Sequence, residues 1–137
     1  MEGFIPHKIG STEQTAFEYI DAAAATYQIG EALAFNAAGL LALCGATVKP
    51  QYIAMKNVTL AENGRLCVTP VRPDIVYETH NQAAFTSVKK GSRVTLHTDG
   101  MRVTATTAGG VATVLDFEGT AAGSVVHVCF EDVNPSA

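Results

Sequence analysis

The stretch from Gly30 to Thr47, GEALAFNAAGLLALCGAT, limits this chain more than any other. Its alanines and leucines invite a helix, even one that crosses a membrane. A membrane helix needs about 20 mainly apolar residues, and Gly30, Glu31, Asn36 and Gly39 interrupt this run. A soluble helix would hold Gly39 in its body, at about 1 kcal/mol against alanine. Asn36-Ala37-Ala38-Gly39 instead has the residues of a type I turn, Asn at the first position and Gly at the last. Leu33 and Phe35 alternate with Ala32 and Ala34 before it. Leu41 and Leu43 alternate with Leu40, Ala42 and Cys44 after it. The pattern predicts a β-hairpin ended by Gly45, with one bulky face and one smaller face. Alanine is a poor strand former, so turn chemistry and packing must carry the hairpin.

The same rhythm continues. Tyr52–Met55 is a short strand candidate after Pro50. Arg65–Val71 alternates Leu66 and Val68 with Cys67 and Thr69, and Pro70, which cannot donate to a ladder, places that end at an edge or a bend. Asp74–Thr79 follows a turn-like Arg-Pro-Asp. Ser92–Thr107 predicts a hairpin about a two-residue Asp99-Gly100 turn. Val94 and Leu96 share one face of its first arm; Met101, Val103 and Ala105 form the apolar face of its second. Val111–Glu118 and Ser124–Phe130 complete the set. The fold expected is all-β, a small β-barrel or sandwich of about eight to ten short strands.

Residues 1–25 read as an N-terminal arm or short helix ahead of a β-rich domain, 26–137. Residues 1 to about 11 have the look of a loose arm. Beyond them Ser11 and Gln14 resemble a capping box, and Phe17, Ile20 and Ala24 would share a helix face. Thr26, Tyr27 and Ile29 then favour strand. The alternative to the helix is an extended arm lying across a neighbour.

Composition narrows the function classes. The 137 residues suffice for one domain with a sizeable core. Charged residues make up 16%, below the roughly 25% of an average soluble domain, which leaves neutral surface for contact with other chains. Oligomerisation or attachment to a larger assembly is favoured. Net charge is −4, and the few Lys and Arg are scattered, densest at Lys89 and Lys90, so no basic surface for nucleic acid is evident. Cys44, Cys67 and Cys129 are odd in number and form no CxxC pair, which argues for buried thiols in a reducing cytoplasm. Met1–Gly10 lacks the pattern of a signal peptide.

Motifs that carry chemistry are sparse. His127 and Cys129, two apart, share a strand face and supply two metal ligands at most, short of a site. The cysteines lie in apolar strand contexts, where a thiol behaves as a small hydrophobe. No GxSxG elbow, GxGxxG or phosphate loop occurs. No catalytic residue, metal or cofactor is therefore expected, and the chain does not read as an enzyme. Ala54–Asn57, AMKN, is similar to the AMKM of biotinyl domains, which present the modified lysine at a hairpin tip; it lacks the preceding Glu and the second Met. Lys56 would be the attachment point. This keeps open an alternative, a cytosolic small-ligand or carrier-type β-domain.

From TYQIGEALAFNAAGLLALCGATVKPQYIAM through GSRVTLHTDGMRVTATTAGGVATVLDF to GSVVHVCF, the chain resembles small structural proteins of tailed-phage and prophage head gene clusters, of the capsid-decoration type. The likeness spans roughly residues 19 to 130 and includes no active-site motif. It implies a virion protein, made in the bacterial cytoplasm, that binds the outer surface of a capsid and reinforces it. The implied partners are the major capsid protein and further copies of the chain, a trimer being one arrangement, with no nucleic acid or membrane partner.

Overall fold

Among the described residues, 3–9, 17–72 and 75–130 of a computed structural model, all regular structure is strand and turn, with no helix. In chain order the strands are β1 (Ile5–Ile9), β2 (Glu18–Asp21), β3 (Ala25–Tyr27), β4 (Ala32–Phe35), β5 (Leu41–Leu43), β6 (Tyr52–Ala54), β7 (Val58–Leu60), β8 (Arg65–Pro70), β9 (Ile75–His80), β10 (Arg93–Val94), β11 (Ala112–Phe117) and β12 (Val125–Cys129). Sheet A has the order β1-β9-β12-β11-β10 and sheet B the order β2-β8-β6-β4-β5, while β3 and β7 form a separate ribbon. All these pairings are antiparallel. The sheets face each other as a sandwich rather than closing into a barrel.

The Gly30–Thr47 hairpin forms as its turn chemistry predicts. Gly39 N–H donates to Asn36 O at 3.0 Å, closing the turn, and Gly39 takes a φ of +79°. The Asn36 side chain caps the bend: its Oδ1 accepts from Ala38 N at 2.9 Å and from Leu40 N at 3.1 Å. Leu33 pairs with Leu43 and Ala34 with Ala42. The two faces of β4 have different destinations. Ala32 and Ala34 join Ile53 of β6 against Tyr77, Val114, Val126 and Val128 of sheet A, in the main core. Leu33 and Leu41 point the other way, into a second cluster with Ala54, Leu66, Val68 and Tyr27.

The centre of sheet B, along β6, β8 and most of β4, is thus a middle layer, buried on both faces. The alanines sit where two sheets approach, and short side chains suit that gap better than their strand propensity suggests. The β3–β7 ribbon covers the outer side of the second cluster. Its Tyr27 is buried, and the hydroxyl lies 2.6 Å from Ala23 O and 3.2 Å from Leu41 O, fastening the ribbon side of the molecule to β5.

Three sequence expectations need correction. The first concerns the helix considered from Ser11 to Thr26: its described part, from Phe17 on, is extended, β2 pairing with β8 and β3 with β7. Burial of Ala22 and Tyr27 in the second cluster outweighs the helix propensity of the alanine run. Ser11 and Gln14 lie outside the described residues.

The second concerns the loose arm. Phe4 is fully buried, edge-on to Phe130 with ring centroids 5.3 Å apart, and β1 pairs with β9. Phe4 N–H also donates to Gly30 O at 2.9 Å. The third concerns Asp99-Gly100, which lies inside a longer loop. His97 N–H donates to Arg102 O at 2.8 Å and Gly100 N–H to His97 O at 2.9 Å, so Gly100 closes the turn instead of standing at its centre. Asp99 Oδ1 then accepts from Met101 N at 2.9 Å. This loop docks on sheet B, with Ala32 N–H donating to Gly100 O at 2.8 Å.

Pro70 falls at the end of β8, as its missing donor requires. Val71 N–H donates to Gln51 O, which makes Tyr52 and Pro70 a non-hydrogen-bonded pair and turns the proline nitrogen away from β6.

Candidate functional site

Two surfaces carry what distinguishes this chain chemically. The first is the outer face of sheet A. Val126 and Val128 of β12 point into the core, so His127 between them points out. Glu78 lies opposite His127 on β9 and Asp116 lies opposite it on β11. The imidazole bridges the two carboxylates, with Nδ1 2.7 Å from Asp116 Oδ1 and Nε2 3.1 Å from Glu78 Oε1.

A β-bulge makes this possible. The register of β11 against β12 shifts between Val114 and Asp116, leaving Leu115 as the extra residue. Strict alternation from Val114 would turn Asp116 inward and Phe117 outward. The bulge reverses both. Asp116 emerges beside His127, while Phe117 packs on the core against Phe85, with ring centroids 5.3 Å apart.

Burial works against the His127 imidazolium, but the hydrogen bonds and charges of Glu78 and Asp116 outweigh it and raise the histidine above its ordinary value. With each ring nitrogen held by its own carboxylate, neither is available to take a proton from a nucleophile, and the three groups do not converge on a common point. Among the described residues no group of three or more His, Cys, Asp or Glu is arranged to hold a metal ion.

The cysteines are placed as the apolar contexts suggest. Cys44, Cys67 and Cys129 are buried and form no disulfide. Burial pushes the Cys44 thiol up to about 12, far from a reactive thiolate. Lys56 is exposed, in the connection between β6 and β7. Those strands pair with different partners, β6 in sheet B and β7 in the ribbon, so Lys56 does not stand at the tip of a hairpin. Beside it Thr26, Tyr27, Gln28, Asn57, Val58 and Thr59 line an open depression of about 490 Å³. Thr26 and Thr59 hydroxyls bond to each other at 2.9 Å, and Asn57 Oδ1 accepts from Ile29 N, so these polar groups are engaged within the fold.

Glu31 is a residue that the sequence reading did not single out. It is buried, and burial raises its carboxyl; the Gln28 N–H at 2.9 Å lowers it, and nearby Asp99 raises it further. The only sequence signal was a lone carboxylate in an otherwise apolar strand entry.

The second surface is the β2 edge of sheet B. Among the described residues β2 pairs on one side only, with β8. Phe17 and Tyr19 flank Glu18 and are 67% and 65% exposed, more than the other exposed large hydrophobic residues. Phe35 and Leu43, at 42% and 45%, lie on β4 and β5 of the same sheet, and Leu41 of β5 bridges to Ala22 just beyond β2. Aromatic side chains beside an open strand edge are what interfaces use, since the backbone supplies direction and the rings supply area.

No protein-family model matches the chain, and no curated protein matches it significantly. No helix among the described residues is long and apolar enough to cross a membrane.

Proposed function

We propose that this chain is a structural protein of a tailed-phage or prophage head, of the capsid-decoration type, that acts by self-association and by binding the outer surface of the capsid. It works through surface and not through catalysis, and its place is the virion. The single observation that carries the reading is the pair Phe17 and Tyr19, held in the open beside a sheet edge. The low charge fraction, 16%, supports it, because neutral surface costs little to bury against another chain. So does the resemblance of residues 19 to 130 to decoration proteins. A capsid presents many copies of one site, so weak contacts add through multivalency.

The test is co-sedimentation with expanded capsids of the phage or prophage that encodes the chain, with light scattering to give the oligomeric state. The wild-type protein is expected to self-associate, to co-sediment and to raise the heat resistance of the capsids. A Phe17→Asp/Tyr19→Asp double variant is expected to keep its thermal midpoint and lose most of the binding, since both rings are exposed in the isolated chain. A strict monomer at high concentration that leaves capsids in the supernatant would remove the proposal.

A further inference from the structure

We propose that Glu78, His127 and Asp116 form a proton-dependent tie across three neighbouring strands of sheet A, closed when the imidazole carries both its protons and released on one side when it loses one. The argument is a count of donors. A neutral imidazole has one N–H and an imidazolium has two, whereas an ionised carboxylate only accepts. Contacts of 2.7 Å to Asp116 and 3.1 Å to Glu78 place an acceptor at each nitrogen. Both contacts are therefore satisfied together only by the doubly protonated ring. Once one proton leaves, one nitrogen faces a carboxylate lone pair to lone pair. The shorter contact keeps the remaining proton on the Asp116 side, so the Glu78 link between β9 and β12 is the one released.

The position gives the tie leverage. The His127 side chain is only 14% exposed, against 42% for Glu78 and 52% for Asp116, so the charge that both carboxylates share is the sheltered one. Asp116 follows the Leu115 bulge, where the β11–β12 register is broken, and the side-chain bond spans that break. Glu78 and His127 have interactions besides these two contacts, and other ionisable groups stand on the strands around them. His80 stands two residues beyond Glu78 on β9, Cys129 two residues beyond His127 on β12, and Arg93 of β10 opposite Thr113 of β11. On β1, Ile5 is paired with Glu78 and Lys8 with Val76, with His7 at the register shift between Pro6 and Lys8, and Glu118 stands two residues beyond Asp116.

The sign of the effect follows. A histidine held more basic in the fold than in the unfolded chain adds stability that is full below its ordinary value, about 6.5, and is lost as pH rises through the higher folded value. Carbon–nitrogen correlated NMR of the imidazoles, assigned with His127→Gln, tests this. His127 is expected to titrate above the ordinary value, and Glu78→Gln and Asp116→Asn are each expected to move it down. The thermal midpoint of the wild type is expected to fall as pH rises through that titration, while that of His127→Gln, which stays neutral, loses this component. The NMR titration uses the wild-type protein, so it decides the matter even if a variant folds poorly. Titration of His127 at or below the ordinary value, or equal pH slopes for wild type and His127→Gln, overturns the tie.

Discussion

At the scale of single residues, the tightest constraint lies at Gly110. A Cβ placed there would stand 2.5 Å from Arg93 C, 2.6 Å from Arg93 O and 2.7 Å from Val94 N. All three are backbone atoms of β10, which cannot step aside without breaking its pairing with β11. Gly45 presents the opposite case: its φ of +82° disfavours a side chain, yet nothing lies within 4 Å of the added carbon. Gly110→Ala is therefore expected to destabilise by about 3 kcal/mol, the upper end of overpacking costs. Gly45→Ala is expected to cost about 1 kcal/mol, the penalty of a left-handed alanine. Urea midpoints of the two variants distinguish a lack of space from a strained dihedral; equal losses would contradict this account.

At the scale of elements, the Leu115 bulge is the device that sorts β11 into core and surface. Leu115→Ala removes a side chain that is 38% exposed and is expected to cost less than about 1.5 kcal/mol. Deleting Leu115 joins Val114 directly to Asp116, and the regular ladder that results keeps Asp116 outward beside His127 and Phe117 inward. The deletion is therefore expected to keep cooperative unfolding and to cost about 1–3 kcal/mol, from the strand and its connections losing one residue. Loss of cooperative unfolding in the deletion variant would show that Asp116 and Phe117 do not keep their faces when the extra residue is removed.

That bulge also marks where the sequence stops being legible. Apolar runs with a period of two, bounded by turn residues, identified β4, β5, β6, β8, β9, β11 and β12, because the two faces of each meet different surroundings and the difference survives in the letters. It failed at β11 beyond Val114, since a bulge breaks the period without any glycine or proline to announce it. It failed again at β1, β2 and the β3–β7 ribbon, whose short runs, Ala25-Thr26-Tyr27 among them, acquire their state only from the sheet they cover. The carboxylate–imidazole set was hidden for a related reason. Glu78 and Asp116 are far from His127 in sequence, and only the order β9-β12-β11 brings them together. His127 was noticed for its spacing to Cys129, whereas its true partners lie across the strands and not along one.

At the scale of the whole molecule, the proposed assembly role and the proton-dependent tie use different surfaces. Phe17 and Tyr19 belong to sheet B and the tie to the outer face of sheet A, so attachment and pH response can be varied separately. A variant at the β2 edge is expected to leave the His127 titration unchanged. A shift of that titration in Phe17→Asp/Tyr19→Asp would mean that the two surfaces communicate through the sandwich.

The middle layer has a consequence for the way the protein opens. Leu66, Val68, Ile53 and Ala54 have no exposed surface; Ile53 faces the main core and the other three the ribbon-side cluster. Water cannot reach the amides of β6 and β8 until a covering layer has lifted from one side. In deuterated buffer those amides are expected to exchange last, through global unfolding, while the amides of the ribbon exchange early. The strand with the least solvent contact would then serve as the molecule's clock, timing every larger opening by when its own hydrogens leave.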